Sequence, residues 1–185
     1  MRLQTRHKRL IVILALSWWL LSYLHRHCDR PDRPDHVEAY IREFGPLAVE
    51  LYDKTGIPPA IPLAVGGLES AWGSSELALK GRNHFGIKAR NGQRRCCLPT
   101  TEYYNGRRHR EVACFRAYDD PAEGYYDFAR FLLSQPRYDA LFRIPTSDYQ
   151  AWAEGLEEYG YATDPRYAEK LTRVMKRYRL YRIGE

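Results

Sequence analysis

The sequence predicts a mainly α-helical domain with one small β-hairpin lobe, preceded by an N-terminal membrane helix. Three observations carry this. Residues 10–24 read LIVILALSWWLLSYL, fifteen positions without a charge. From residue 36 onward, apolar side chains recur at three- and four-residue steps in separate stretches, the period of a helix with one buried face. Between Thr100 and Tyr118 that period gives way to β-formers around Asn105-Gly106, a strong short hairpin signal. A length of 185 residues, 44% hydrophobic and 28% charged, suits one domain plus an appendage. It excludes disordered, collagen-like and polytopic membrane chains.

The formal net charge of +6 is concentrated at one end. Residues 1–33 carry seven basic side chains against Asp29 and Asp32, leaving 34–185 with 22 basic and 21 acidic residues. Residues 1–28 are therefore expected to be a signal anchor or transmembrane segment. Fifteen helical residues rise only about 22 Å, short of a bilayer core of about 30 Å. Trp18, Trp19, Tyr23 and snorkelling basic ends extend the reach. No pair of small residues follows the apolar run, which favours an uncleaved anchor over a cleaved signal peptide. His27 and Arg26 argue against a lipoprotein modified at Cys28, and adjacent tryptophans beside a basic terminus argue against a buried core helix. The basic N-terminus would stay inside and the domain outside. Residues 29–35, DRPDRPD, form a linker in which Pro31 and Pro34 stop the helix, and the domain spans 36–185.

Within the domain, Val37, Tyr40, Ile41, Phe44, Ala48, Leu51 and Tyr52 mark a first helix that Gly56 ends. A second begins near Pro59 to Ile61, presents Ile61, Val65, Leu68 and Trp72 on one face and ends at Gly73. Glu69, on its last turn, faces the negative end of the helix dipole. The polar stretch from Gly73 to Gly92 holds a short turn of helix near Glu76 to Leu79. Beyond the hairpin, Pro121 opens a helix with Tyr125, Phe128, Ala129, Leu132 and Leu133 on one face. Tyr149 to Leu156 forms another, and a last helix, entered through Asp164-Pro165, carries Tyr167, Leu171, Val174, Met175 and Tyr178.

Five blocks stand out in order: Leu-Glu69-Ser-Ala-Trp72-Gly, Asn83-His-Phe85-Gly86-Ile-Lys88, Thr-Thr-Glu102-Tyr103, Phe115-Arg116-Ala-Tyr118 and Gly160-Tyr161-Ala162-Thr163-Asp164-Pro165. Together they resemble glycoside hydrolase family 73, the β-N-acetylglucosaminidases that cut bacterial peptidoglycan, over roughly residues 38–180. The resemblance implies a lysozyme-like α+β fold with a groove between a helical lobe and the hairpin lobe. It also implies an endo-β-N-acetylglucosaminidase that cleaves the β-1,4 bond after N-acetylglucosamine without cofactor or metal. Peptidoglycan glycan strands would be its partner on the extracytoplasmic side of the bacterial cytoplasmic membrane, and an envelope-spanning machine is a candidate second partner.

Glycosidic cleavage needs an acid for the leaving oxygen and commonly a second carboxylate at the cationic centre. The resemblance puts the catalytic acid at Glu69, where partial desolvation beside Leu68 and Trp72 would hold its proton to higher pH. Glu102, on the strand before the hairpin turn, is the leading second carboxylate, and Asp127 is another acidic position the family suggests. Tyr161 matches the groove tyrosine, suited to orienting an acetamido group or a water. Trp72, Phe85, Tyr103 and Tyr118 are candidate sugar platforms, each equally readable as a core aromatic. Asn83, Gly86, Lys88, Ala162 and Thr163 complete the expected binding set, with Gly86 allowing close backbone approach. The chain departs from the family pattern at His84 and at Gly124 to Tyr126.

Either Cys96 or Cys97 could bridge to Cys114, since an outside location permits disulfides. These cysteines with His84 or His109 lack any recognised zinc spacing. The rival readings are a lytic transglycosylase working with a single Glu, a wall-binding module without catalysis, and a nucleic-acid binder. The last would rest on eight basic residues against Glu102 alone between 82 and 110. An extracytoplasmic location and the acidic stretch from Asp119 to Asp164 count against nucleic acid as a partner.

Overall fold

Helical periodicity resolves most cleanly in α1 (Asp35–Thr55), whose buried residues Val37, Tyr40, Ile41, Phe44, Ala48 and Leu51 follow the expected stripe. Gly56, at φ +75°, closes it by donating its N–H to the Tyr52 carbonyl, a left-handed cap that glycine adopts without a Cβ penalty. The structure, a computed structural model, describes Trp19, residues 32–104 and residues 107–184, without the side chains of 101–110. The expected membrane helix over 10–24, Cys28, the Asn105-Gly106 turn and the side chains of Glu102 and Tyr103 lie outside the described residues. Among the described residues no helix is long and apolar enough to cross a membrane. Met1–Asp32 and Arg33–Glu185 are separate units, the second holding the helical core and the hairpin.

Helix α2 (Ala60–Glu69) is the centre of the domain. All of Ala60–Gly67 is buried, and α1, α5 (Tyr149–Glu158), α6 (Tyr167–Arg177) and a 3-10 turn at Leu180–Arg182 pack around it. The sequence extends this helix to Gly73, but it stops four residues earlier. Ser70 is fully buried, and its hydroxyl donates to the Gly66 carbonyl while accepting the Gly73 N–H at 2.7 Å. This local bonding competes with the helix ladder. It turns Ala71 and Trp72 into the left-handed region, at φ +50° and +57°.

A short helix α3 (Glu76–Gly81), capped by the Ser75 hydroxyl on the Ala78 N–H at 3.2 Å, leads to the hairpin. Strand β1 (Arg95–Tyr104) begins five residues before the expected Thr100, whereas β2 (Arg107–Arg116) stops two residues short of Tyr118, and the two pair antiparallel, with Cys97 opposite Cys114 and Glu102 opposite His109. Pro99 is tolerated because β1 is an edge strand. The Cys97–Cys114 disulfide ties the base of the hairpin and leaves Cys96 as the free thiol, so register decides between the two pairings the sequence leaves open.

Asp120 caps α4 (Pro121–Leu133), accepting the Ala122 N–H at 2.7 Å. Tyr125, Phe128, Ala129 and Leu132 face the core, whereas Leu133 is 49% exposed and leaves the expected face. A 3-10 helix at Pro136–Arg143, not anticipated from the periodicity, comes next and buries Tyr138 and Leu141. Helix α6 begins at Tyr167, two residues after Pro165. Asp164 accepts the Arg166 N–H, making the preceding turn and not proline the helix entrance.

Candidate active site

Glu69 is the last residue of α2, so its position is set by the most buried helix in the domain. Its carboxylate accepts a hydrogen bond from the Tyr167 hydroxyl at 2.9 Å. The side chain is open towards a groove and crowded by protein on its other sides. That crowding is the main reason its carboxyl titrates above the usual range, against the opposing Tyr167 hydrogen bond and the positive charge of Lys170. Desolvation likewise pushes the Tyr167 phenol far up, with the neighbouring Tyr161 and Glu69 adding to the shift, so Tyr167 remains a hydrogen-bond donor.

The groove encloses about 550 Å³, with Glu69 on one wall and Phe85, Gly86, Lys88 and Arg90 on another. Tyr161, Ala162 and Thr163 form a third side, and Phe115, Arg116 and Phe131 also contribute. The stretch 87–89 runs along the free edge of β2. Ala89 donates to Cys114 O at 3.0 Å and Arg116 N–H to Ile87 O at 2.9 Å, while Lys88 lies with its ammonium 4.7 Å from the centre of the Phe115 ring. Gly86 takes φ +64° with nothing within 4 Å of where a Cβ would stand, leaving open space over the backbone there. Tyr161 packs flat on Tyr167 at 5.7 Å and points its hydroxyl at the Phe85 carbonyl, 3.5 Å away. Burial raises the Tyr161 phenol well above its ordinary value.

Of the residues the sequence singles out, Glu69, Phe85, Gly86, Lys88, Tyr161, Ala162 and Thr163 come together here. Phe85 is only 4% exposed and stacks on Phe128 at 4.6 Å, so it supports the wall more than it offers a face. Asn83 is buried, and both ends of its amide are used. Nδ2 donates to Ile87 O and Arg116 O, each at 3.0 Å, and Oδ1 accepts the N–H groups of Phe85 and Ile87. It shapes the groove loop and has no donor or acceptor left for a ligand.

Asp127, Tyr118 and Trp72 lie elsewhere. Asp127 is 5% exposed, gripped by Arg116 through one guanidinium nitrogen on both carboxylate oxygens and by the Tyr118 hydroxyl at 2.6 Å. This pair ties α4 to the end of β2 and borders a separate depression of about 450 Å³. Trp72 covers Gly67 and meets Tyr40 and Tyr178 edge-on at 5.5 and 5.2 Å. A larger depression of about 640 Å³ between α5 and α6 holds the Glu169–Arg173 ion pair and none of the expected site residues. Among the described residues no group of three or more His, Cys, Asp or Glu could hold a metal.

A carboxyl held above its ordinary titration range by nearby protein yet exposed at the wall of a groove of about 550 Å³ is suited to giving its proton to a leaving oxygen. The glucosaminidase family profile, described as mannosyl-glycoprotein endo-β-N-acetylglucosaminidase, matches residues 45–180 and spans this whole arrangement. The chain belongs to glycoside hydrolase family 73. The chain is 32% identical over 156 residues to the exo-glucosaminidase LytG of Bacillus subtilis, covering 82% of this chain and 55% of that protein. It is 32% identical over 168 residues to the peptidoglycan hydrolase FlgJ of Escherichia coli K12, covering 88% and 53%. The chain thus spans about half the length of the curated relatives it matches. Among solved structures, the catalytic domain of the autolysin Auto from Listeria monocytogenes superposes with a TM-score of 0.72 at 27% identity, covering 89% of this chain and 96% of that one. A truncated glycoside hydrolase domain of FlgJ from Salmonella typhimurium gives 0.63 at 32% identity, covering 77% and 97%.

The sequence pattern does not reveal Tyr167 as the partner of Glu69, because its spacing reads only as part of the α6 core stripe. It also misses the Arg116–Asp127 pair, whose members are eleven residues apart on different elements. The departure at His84 has a structural account. Tyr125 donates to Tyr40 at 2.8 Å and Tyr40 meets His84 Nδ1 at 3.1 Å, a buried network in which desolvation holds the imidazole down to about 4 and so neutral.

Proposed function

We propose that this domain hydrolyses the β-1,4 bond after N-acetylglucosamine in peptidoglycan, with Glu69 as general acid. The observation that carries the reading is Glu69 itself, a carboxyl whose titration is raised by desolvation, anchored on the buried helix and open to the groove. In the proposed reaction Glu69 protonates the glycosidic oxygen as the C1–O bond breaks, and positive charge develops on the sugar ring. The second carboxylate is Glu102, from the arm of the hairpin. Tyr161 orients the acetamido group or the attacking water. Water adds to C1, and its proton returns to the carboxylate system. Asp127 has no part in this scheme because its oxygens are occupied by Arg116 and Tyr118.

The names of the relatives support a cell-wall substrate, and with it action outside the cytoplasmic membrane; the uncharged run 10–24 is the basis for an N-terminal anchor. A second reading, cleavage after N-acetylmuramic acid, has its support in a probable N-acetylmuramidase of Lactococcus lactis, 32% identical over 153 residues and covering 80% of this chain and 35% of that protein. The test is digestion of purified sacculi by the full chain, borohydride reduction and mass spectrometry of the fragments. Reduced N-acetylglucosamine ends are expected. Reduced muramic ends would make it a muramidase, anhydro ends a transglycosylase, and intact sacculi that retain the protein a binding module.

A further inference from the structure

The loop leading to the hairpin is strongly basic, and hydrolysis of a neutral glycosidic bond gives that charge no task. Arg94 pairs with Asp119 and Arg82 donates to the Asp119 carbonyl, so both are engaged within the fold, as is Arg116 at the end of β2, held by Asp127. Lys88 and Arg90 line the groove, two residues apart on the segment pinned along β2. Lys88 is steadied over Phe115. Arg90 is exposed, and its backbone N–H donates to Gln93 Oε1 at 2.8 Å. Among the described residues its guanidinium has no partner. The only acidic side chain in the described lining is Glu69. A planar, unengaged guanidinium beside an ammonium, at the rim of a groove that holds an otherwise neutral polymer, matches a carboxylate carried by that polymer.

We infer that Arg90, with Lys88, makes this groove selective for glycan bearing peptide stems with free carboxylates. Resting on the proposed peptidoglycan hydrolase activity, the inference adds a recognition step outside the bond-breaking machinery. Arg90 is a positioning residue. It acts through the stem and touches no reacting atom.

The test uses the full chain in detergent on three substrates: native sacculi, sacculi whose carboxyls have been converted to amides with their stems retained, and strands stripped of stems by an amidase. Stripping frees a lactyl carboxylate on the sugar, which separates that anion from the stem's. On native sacculi, Arg90→Gln should raise KM about tenfold with kcat little changed, the pattern of lost uniform binding. Arg90→Lys should recover most of the affinity. Wild type should show the same loss on amidated and on stripped substrate, Arg90→Gln should no longer discriminate, and added salt should weaken only the wild type on native sacculi. Equal wild-type KM on native and amidated sacculi would overturn the inference. So would an Arg90-dependent preference that persists on stripped strands, which would assign the lactyl group instead. Absence of cleavage on all three would refute the underlying hydrolase reading itself.

Discussion

Tyr167→Phe removes the buried hydroxyl that hydrogen-bonds Glu69 and tests whether Glu69 is the acid. The bond it deletes, 2.9 Å from hydroxyl to carboxylate oxygen, favours the ionised form of Glu69 and so opposes the effect of desolvation. A hydrogen bond to a charged group is worth about 1.5–3 kcal/mol and one to a neutral group about 0.5–1.5. Because Glu69 is open to the groove, the lower end of each range applies, a difference of about 1 kcal/mol. At about 1.4 kcal/mol per pH unit, the Glu69 titration rises by roughly 0.7 of a pH unit. A general acid works while protonated, so the alkaline limb of kcat/KM against pH should move upward by that amount. The assay is turbidity loss of a sacculus suspension from pH 5 to 9, with circular dichroism and thermal melts to show that the fold persists. An alkaline limb that stays in place or moves downward in a folded Tyr167→Phe variant would refute Glu69 as the acid. Tyr161→Phe is the control, because its hydroxyl bonds a backbone carbonyl and not Glu69.

Glu69→Gln should cut kcat by about 10²–10⁴-fold, the usual contribution of a positioned acid. It should also melt higher than wild type at neutral pH. The folded-state titration of Glu69 is raised, so its contribution to stability is complete below the unfolded carboxylate value of about 4.3 and is lost as pH climbs through the folded value. Melts should therefore converge at low pH, and no gain at pH 7 would count against a desolvated Glu69. Asp127→Ala leaves the Arg116 guanidinium, 21% exposed, without its counter-charge. A loss of about 3 kcal/mol, roughly 6–12 °C in melting temperature, is expected by calorimetry. Gly67→Ala would place a Cβ 2.6 Å from the Trp72 ring. Overpacking of that kind costs about 1–3 kcal/mol, measurable by urea titration, and an unchanged midpoint would mean that the indole shifts freely.

The helices were legible because each buries one continuous stripe, and the hairpin because Asn105-Gly106 sits between two β-rich runs. What escaped was decided by interactions that no period encodes. Trp72 leaves α2 because the Ser70 hydroxyl captures backbone groups on both sides of it. Leu133 turns outward at the end of α4, while Phe128 and Leu132 take the core-facing positions. The motif blocks located the groove, yet its composition depended on which elements meet in space. Tyr167 comes to Glu69 from 98 residues away, and Asp127 is drawn aside by an arginine on another element. A carboxylate at the right position in a motif is thus a necessary signal for the site, and the side chain that occupies its oxygens decides whether it is available.

The burial of α2 on nearly every side fixes the backbone that carries the proposed acid, while the Glu69 side chain itself stays exposed to the groove. Catalytic precision and fold integrity therefore share the same atoms. A substitution at Ala60, Val65 or Gly66, none of which lines the groove, should displace Glu69 before it unfolds the domain. A screen scored by activity alone would mark such positions as catalytic. Only paired measurements of turnover and melting would separate the helix that aims the acid from the residues that meet the glycan.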